Sequence, residues 1–592
     1  MNEIKTTRRF AVVLVLLALC LAWACSDKAN SPEPTDSPST STTATEPATS
    51  TVASTVVATD GEQEIFDAEP VVELDGTHPI QGRLVYRLSQ SPDTLNPLTP
   101  QTDLAEKLTR FHLNFKLLER HPLELDAIPW LAASMPEKSA DGLVHTWTLK
   151  KAATWSDGKP LTASDVERTW KFLNSKSPRI AQACSLMRGH LSAVQSIKAL
   201  DAKRFAVTYN KVVHRADMFF GLNFSPIPSH VIPEKEEDLV SQRYLPGSGP
   251  YRVKIWQDNV IHMERIEDWW GNEEGSFKNR YTVKDFVYKV VPDTKQAIEQ
   301  LKSGAIDFAA LSDIKAYVNL MKSAKKYNLS STHYYLPQWS YIGFNCSSPI
   351  FADRRVRKAI SLLIPRKAIN KQFYEGLARP ISGPFFASSI FNNSRIKADT
   401  YDPLKAKNLL EAAGWVDRDK DGFLDKDGEK LSFVLSRTKA GLAWSENLLE
   451  KVRDSLAQAG IDMEIETLLG SVLYPSYRAG QHQAYAEVWS IDTIHPEVDI
   501  RATFHSSECS SNGLNWQQFR SPKLDLLIEK FIHAESDVVR IRSARKIHQE
   551  IAEATPMAFL FNNPACIVWS NRVSGVQAYP LGVRQWDFKV KK

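Results

Sequence analysis

A chain of 592 residues is too long for one hydrophobic core, so two or three domains are expected. Its 43% hydrophobic and 24% charged content is that of an ordinary globular protein. A net charge of +4, with no run of Lys or Arg, argues against a dedicated nucleic-acid binder.

Residues 1–24 read as an export signal. Lys5, Arg8 and Arg9 form a positive region ahead of Phe10–Leu21, an apolar stretch too short to be a usual membrane span. Ala24-Cys25 resembles the lipobox of bacterial lipoproteins, which makes Cys25 the expected lipidated first residue of the mature chain. Residues 25–65 are then a lipid-anchored tether. Ser, Thr, Pro and Ala dominate it, and it cannot bury a core, so disorder is predicted. A flexible tether of about 40 residues has a reach of roughly 35–40 Å. Beyond it, Cys184, Cys346, Cys509 and Cys566 are far apart and show no CxxC spacing. No zinc site is expected, and disulfide pairing stays open.

The first strand is expected at Arg83–Leu88, before the turn-rich Ser91-Pro92-Asp93-Thr94-Leu95-Asn96-Pro97. Asp157-Gly158 signals a turn, and Thr162 or Ser164 can cap a helix running through Trp170 and Leu173. Tyr251 opens a strand and Val260–Arg265 alternates as its hairpin partner, closing on Asp268-Trp269-Trp270-Gly271. Thr294–Leu301 is a short amphipathic helix stopped by Gly304. Tyr341–Asn345 is an apolar strand followed by a polar turn, Cys346–Phe351. A helix then starts near Asp353, its N-cap, with Val356, Ile360 and Leu363 inward and Arg354, Arg355, Arg357 and Lys358 outside or at its edges. Asp402 caps a helix with Pro403 at its first position and Gly414 at its stop. Strand Leu431–Ser436, helix Trp444–Ala459, and strands Ile461–Leu468 and Ala484–Ile491 predict parallel βαβ packing.

Phe344–Ile360 reads F-N-x-S-x-P-x-F-x-D-x-R-V-R-x-A-I. This wording resembles the domain crossover of bacterial extracellular solute-binding proteins of family 5, the peptide-binding components of ABC importers. Trp155-Ser156-Asp157-Gly158-Lys159-Pro160-Leu161-Thr162-Ala163, the Trp269-Trp270-Gly271 phrase and Lys302-Ser303-Gly304 are similar to the same family. The resemblance implies an α/β, two-lobe periplasmic-binding-protein fold (type II, large cluster C form) with an extra subdomain inserted in the first lobe. It places the first lobe at 66–337, its insertion at about 104–225, the second lobe at 338–558, and a return to the first lobe at 559–592.

In peptide-binding relatives, a Trp at a strand end is followed three residues later by an Asp that pairs with the peptide's α-amino group. Trp489 and Asp492 keep that spacing, so Asp492 is the first candidate for a ligand contact. Strand ends are also where ligands gather in open α/β sheets. The plainer alternative is that Asp492 caps the following turn. Tyr334, Tyr335, Trp339 and Tyr341 cluster beside the crossover, and Trp339 and Trp489 are the expected cleft liners. Asp417, Asp419, Asp421 and Gly422 imitate a calcium loop, but its twelfth position is Gly428. A solvated hairpin turn is the preferred reading. There is no G-x-S-x-G, H-E-x-x-H or Walker loop, and neither an enzyme nor a cofactor is expected.

The implied protein is a monomeric lipoprotein outside the cytoplasmic membrane, periplasmic or at the cell surface. It would take a peptide ligand and deliver it to ABC permease subunits. The alternatives are a non-peptide solute (a nickel chelate, a sugar or haem) and a tethered sensor.

Overall fold

The computed structural model describes residues 79–592 apart from 101, 124–125, 213–214, 336–337, 388, 439–445, 491–497, 511–512, 535, 581 and 592. The signal, the tether and Cys25 lie outside the described residues, as do Asp492 and His495-Pro496.

A seven-stranded sheet has the order Leu329–Tyr335, Pro564–Ser570, Phe308–Leu311, Gln81–Leu88, Val283–Val290, Val260–Arg265, Tyr251–Gln257. The last two form the expected hairpin, turned at Asp258 with φ +46°. The indole N–H groups of Trp269 and Trp270 both donate to the Ser248 carbonyl, at 3.0 and 2.8 Å, and fasten the hairpin's far end. Helices Thr294–Lys302 and Ile314–Met321 cover part of this sheet through Ala297, Leu301, Tyr317 and Leu320. Elsewhere it shares one apolar core with a four-stranded sheet, ordered Glu137–Lys138, Val144–Thr148, Arg204–Tyr209, Val194–Ala199. The helix Ala163–Leu173 packs there, with Thr162, one of the two expected caps, as its N-cap in a capping box with Asp165.

The second large sheet has five strands, ordered Asp462–Leu468, Ser432–Thr438, Ala484–Ser490, Gln338–Phe344, Met557–Phe559. Ser432–Thr438 runs parallel to both Asp462–Leu468 and Ala484–Ser490, as the strand–helix–strand order predicts. Gln338–Phe344 is antiparallel to its two neighbours. Strand alternation divides this sheet's side chains between two helix layers. Ile342, Phe344, Leu435, Ala484 and Ala486 face helices Arg354–Leu363, Pro403–Ala412 and Glu446–Ala457. Trp339, Tyr341, Tyr485 and Trp489 face helices Gly470–Arg478, Val498–Phe504, Pro522–Ile532 and Asp537–Ala554. The chain crosses from the first sheet to the second between Tyr335 and Gln338, and returns between Phe559 and Pro564.

The crossover motif is built around buried polar caps. Asn345 donates to the Gly480 and His482 carbonyls at 2.9 and 2.7 Å, and its Oδ1 accepts from Ser347. Asp353 caps the helix Arg354–Leu363, as expected. Two expectations need correction. Pro349–Ala352 forms a helical turn inside the segment read as a polar turn, because Pro fits the first helical position. Arg357 is buried, not at the helix edge. Its guanidinium donates to the carbonyls of Phe351, Ala352, Ala554 and Thr555, so it closes the C-terminus of the helix Asp537–Ala554.

Candidate functional site

Trp339 and Trp489, chosen from sequence as cleft liners, are directly paired across neighbouring strands. Their rings stack at 6.3 Å with an interplanar angle of 22°. Trp339 is only 1% exposed, whereas Trp489 is half-buried, so Trp489 presents the outer face of the pair. Asp492 follows that strand end but lies outside the described residues. Tyr341 is buried on the same sheet face as the tryptophans. Tyr334 and Tyr335 belong to the other sheet, opposite Ala565 and Pro564. Tyr335 donates to the Leu377 carbonyl at 2.9 Å.

The strand Ala484–Ser490 places more than Trp489 on this face. Tyr485, Glu487 and Trp489 alternate with Ala484, Ala486 and Val488, which enter the opposite core. Tyr485 fits because Gly343 lies opposite it: a Cβ at Gly343 would sit 2.3 Å from the tyrosine ring. The helix Gly470–Arg478 adds Tyr474 and Tyr477, and Trp516 packs between them and the strand. Ring contacts continue without a gap: Tyr341–Tyr485 at 5.7 Å, Tyr485–Tyr477 at 4.9 Å, Tyr477–Trp516 at 5.4 Å, Trp516–Trp489 at 6.3 Å. The buried Nε1 atoms of Trp339, Trp489 and Trp516 have no acceptor among the described residues. Polar donors set in an apolar aromatic wall suit a ligand that carries carbonyl or carboxylate oxygens.

Glu487 was not singled out from the sequence, although an acid inside an apolar alternation was the available signal. Burial pushes its carboxyl up from 4.5 to about 7, only partly opposed by a backbone hydrogen bond from Val488. Tyr474, Tyr477, Tyr485 and Trp516 were also missed, because no local periodicity ties a helix and a loop to a strand end.

The Asp-rich loop is closed by the antiparallel bridge of Val416 with Asp425, and a two-residue hairpin follows it, with strands Asp425–Lys426 and Glu429–Lys430 joined through Asp427 and Gly428 at positive φ. Oxygens of Asp417, Asp419 and Asp425 lie within 4.8 Å of one another. Arg418 holds Asp425 at 2.7 Å and Lys430 holds Asp421 at 3.0 Å.

The model of the bacterial extracellular solute-binding proteins, family 5, matches residues 126–511. The chain belongs to that family. Family 5 proteins are extracellular or periplasmic solute binders rather than enzymes. The oligopeptide-binding protein AppA of Bacillus subtilis is 27% identical over 515 residues, 84% of this chain and 89% of AppA. A putative ABC transporter peptide-binding protein of Brucella ovis is 26% identical over 432 residues, 71% of this chain and 75% of that one. The solved structure of Bacillus subtilis AppA with a nonapeptide aligns at a TM-score of 0.65 and 24% identity, covering 87% of this chain and all of that one. NikA from Brucella suis, in complex with Fe(III)-EDTA, aligns at 0.72 and 18% identity, over 86% and 100% of the two chains. These likenesses establish the α/β two-lobe binding-protein fold. Among the described residues, no helix is long and apolar enough to cross a membrane.

Proposed function

We propose that this family 5 protein captures peptides between its two lobes and hands them to an ABC permease in the cytoplasmic membrane. The carrying observation is the aromatic wall of Trp339, Trp489 and Trp516, whose indole N–H groups meet no acceptor among the described residues, at a strand end that leads to Asp492. A peptide backbone offers such donors its carbonyls, and the rings exclude water around the bonds formed. Asp492 would pair with the α-amino group, and the cost of desolvating both charges would make the site selective for that amine. In this reading residues 66–337 with 559–592 form one lobe, 338–558 form the other, and hinge motion closes them on the ligand. Cys25 would carry the lipid that holds the monomer near its permease, with residues 25–65 as tether. The relatives described as peptide-binding support the ligand class.

Calorimetry of Asp492→Ala with a peptide pool tests the assignment. Strong weakening relative to the parent is expected, and unchanged affinity would remove Asp492 from the site.

A further inference from the structure

We infer that a cavity beside the core of the seven-stranded sheet is a binding pocket for a compact, uncharged aliphatic group that carries one acceptor oxygen. The cavity measures about 110 Å³, and none of its lining residues belongs to the aromatic wall of the other sheet. The inference therefore stands or falls apart from peptide capture, although a peptide side chain is one source of such a group.

Residues 97–100 and the helix Ser185–His190 give the cavity an apolar wall of Pro97, Leu98, Pro100 and Met187. Hydrogen bonds set that wall in advance. Asn96 donates to the Leu239 and Gln242 carbonyls at 2.9 and 3.1 Å and accepts from the Leu98 N–H at 3.0 Å, which fixes the turn carrying Leu98. Asn114, also in the lining, donates to the Pro226 carbonyl at 3.1 Å and accepts from Ser248 at 3.2 Å. A pocket already in shape spares its ligand much of the cost of ordering. Thr109 supplies the polar point. It opens the π-helical turn Thr109–Leu113, a distortion frequent at functional sites, and it lines the cavity while only 4% exposed. Its hydroxyl has no hydrogen-bond partner among the described residues. A buried hydroxyl left unpaired is unfavourable, and an acceptor oxygen entering the cavity would receive its hydrogen bond.

The charges around the cavity are already matched, and this sets the occupant's charge. Lys116 holds Glu106 at 2.6 Å, and Arg110 lies 3.7 Å from Glu106 and 3.3 Å from Glu119. Burial acts to raise the Glu106 carboxyl, but Arg110 and Lys116 outweigh it and hold it down to about 2, so the pair stays ionised. A charged group entering here would lose hydration and would have to break an existing pair to gain a partner. An uncharged group meets neither cost. Size narrows the choice further. An apolar cavity of roughly 150 Å³ takes benzene, so about 110 Å³ suits a branched chain of about five carbons rather than an indole. Pro100, Glu106 and His190 are only half-buried, so one side of the cavity reaches the surface. Such a group arrives either as an aliphatic side chain of a captured peptide, beside a backbone carbonyl, or as a free aliphatic amide.

The test titrates isovaleramide into the full-length protein and follows the methionine methyl signals by NMR, with Met187→Leu assigning the signal from the cavity wall. Isovalerate and isopentylammonium are the charged controls. A saturable shift of the Met187 signal is expected with the amide, and binding about tenfold weaker or worse with either ion. Thr109→Val keeps the shape of the side chain and removes only the hydroxyl. It should bind the amide about five- to tenfold more weakly and yet unfold at higher urea than the parent, because the unpaired hydroxyl is gone. No saturable shift, equal binding of the three probes, or unchanged affinity in Thr109→Val overturns the pocket. Peptides of equal length with leucine or alanine at each position in turn then separate the two sources. Displacement of the amide by a leucine peptide and not by its alanine twin assigns the pocket to the captured peptide. Simultaneous binding of peptide and amide assigns it to a free molecule. If no peptide binds, peptide capture falls, and the amide titration still decides the pocket.

Discussion

Glu487→Gln should stabilise the second lobe at pH 8 and do so far less at pH 5. The wild-type carboxyl is raised by burial from 4.5 to about 7. At about 1.4 kcal/mol per tenfold, its ionised form is roughly 3 kcal/mol less favourable in the folded than in the unfolded chain. Water reaching its half-open side reduces this to roughly 1–3 kcal/mol. The sign follows from proton counts. Below pH 4.5 both states hold the proton and the group is neutral to stability. Between 4.5 and about 7 the unfolded chain has released it while the folded chain keeps it, so stability falls as pH rises. Above about 7 the full penalty is present, and glutamine, which never ionises, is free of it. Urea denaturation of ligand-free protein at both pH values, followed by tryptophan fluorescence, measures the difference. A variant less stable than the parent at pH 8, or a gain independent of pH, would refute the reasoning. It would show that the contacts of the folded carboxylate outweigh the cost of its burial.

Gly343→Ala should destabilise the same lobe by roughly 1–3 kcal/mol, because the new methyl meets the Tyr485 ring at 2.3 Å and must push it into the aromatic wall. A denaturation midpoint equal to the parent's would show that the ring moves aside freely. Arg357→Met keeps the aliphatic stem but strands the Ala554 and Thr555 carbonyls, and a loss of about 2–4 kcal/mol is expected from thermal or urea unfolding. A neutral result would mean that water replaces the guanidinium at that helix end.

Much of the fold was legible because local chemistry and tertiary structure agree. The hairpin Tyr251–Arg265 shows alternation on its second arm, Val260–Arg265, after a short polar turn. Asp402, Pro403 and Gly414 bracket their helix by cap, first-turn and stop preferences that need no tertiary help. The errors have a common cause. Charge puts Arg357 outside or at the edge of its helix, but its guanidinium satisfies carbonyls of a helix that begins far downstream. Pro349–Ala352 is too short to show a helical period. The site was only half legible. Trp489 was marked by its place at a strand end, but the register that sets it against Trp339 is a long-range pairing. Tyr474, Tyr477 and Trp516 reach that face from a helix and a loop whose packing no sequence pattern encodes.

Native mass spectrometry of the full-length protein purified from cells tests the central claim most directly, because a ligand held between closed lobes survives gentle purification. Peptide capture predicts a ladder of added masses spaced by amino-acid residues. A single added mass that is not a peptide would contradict it.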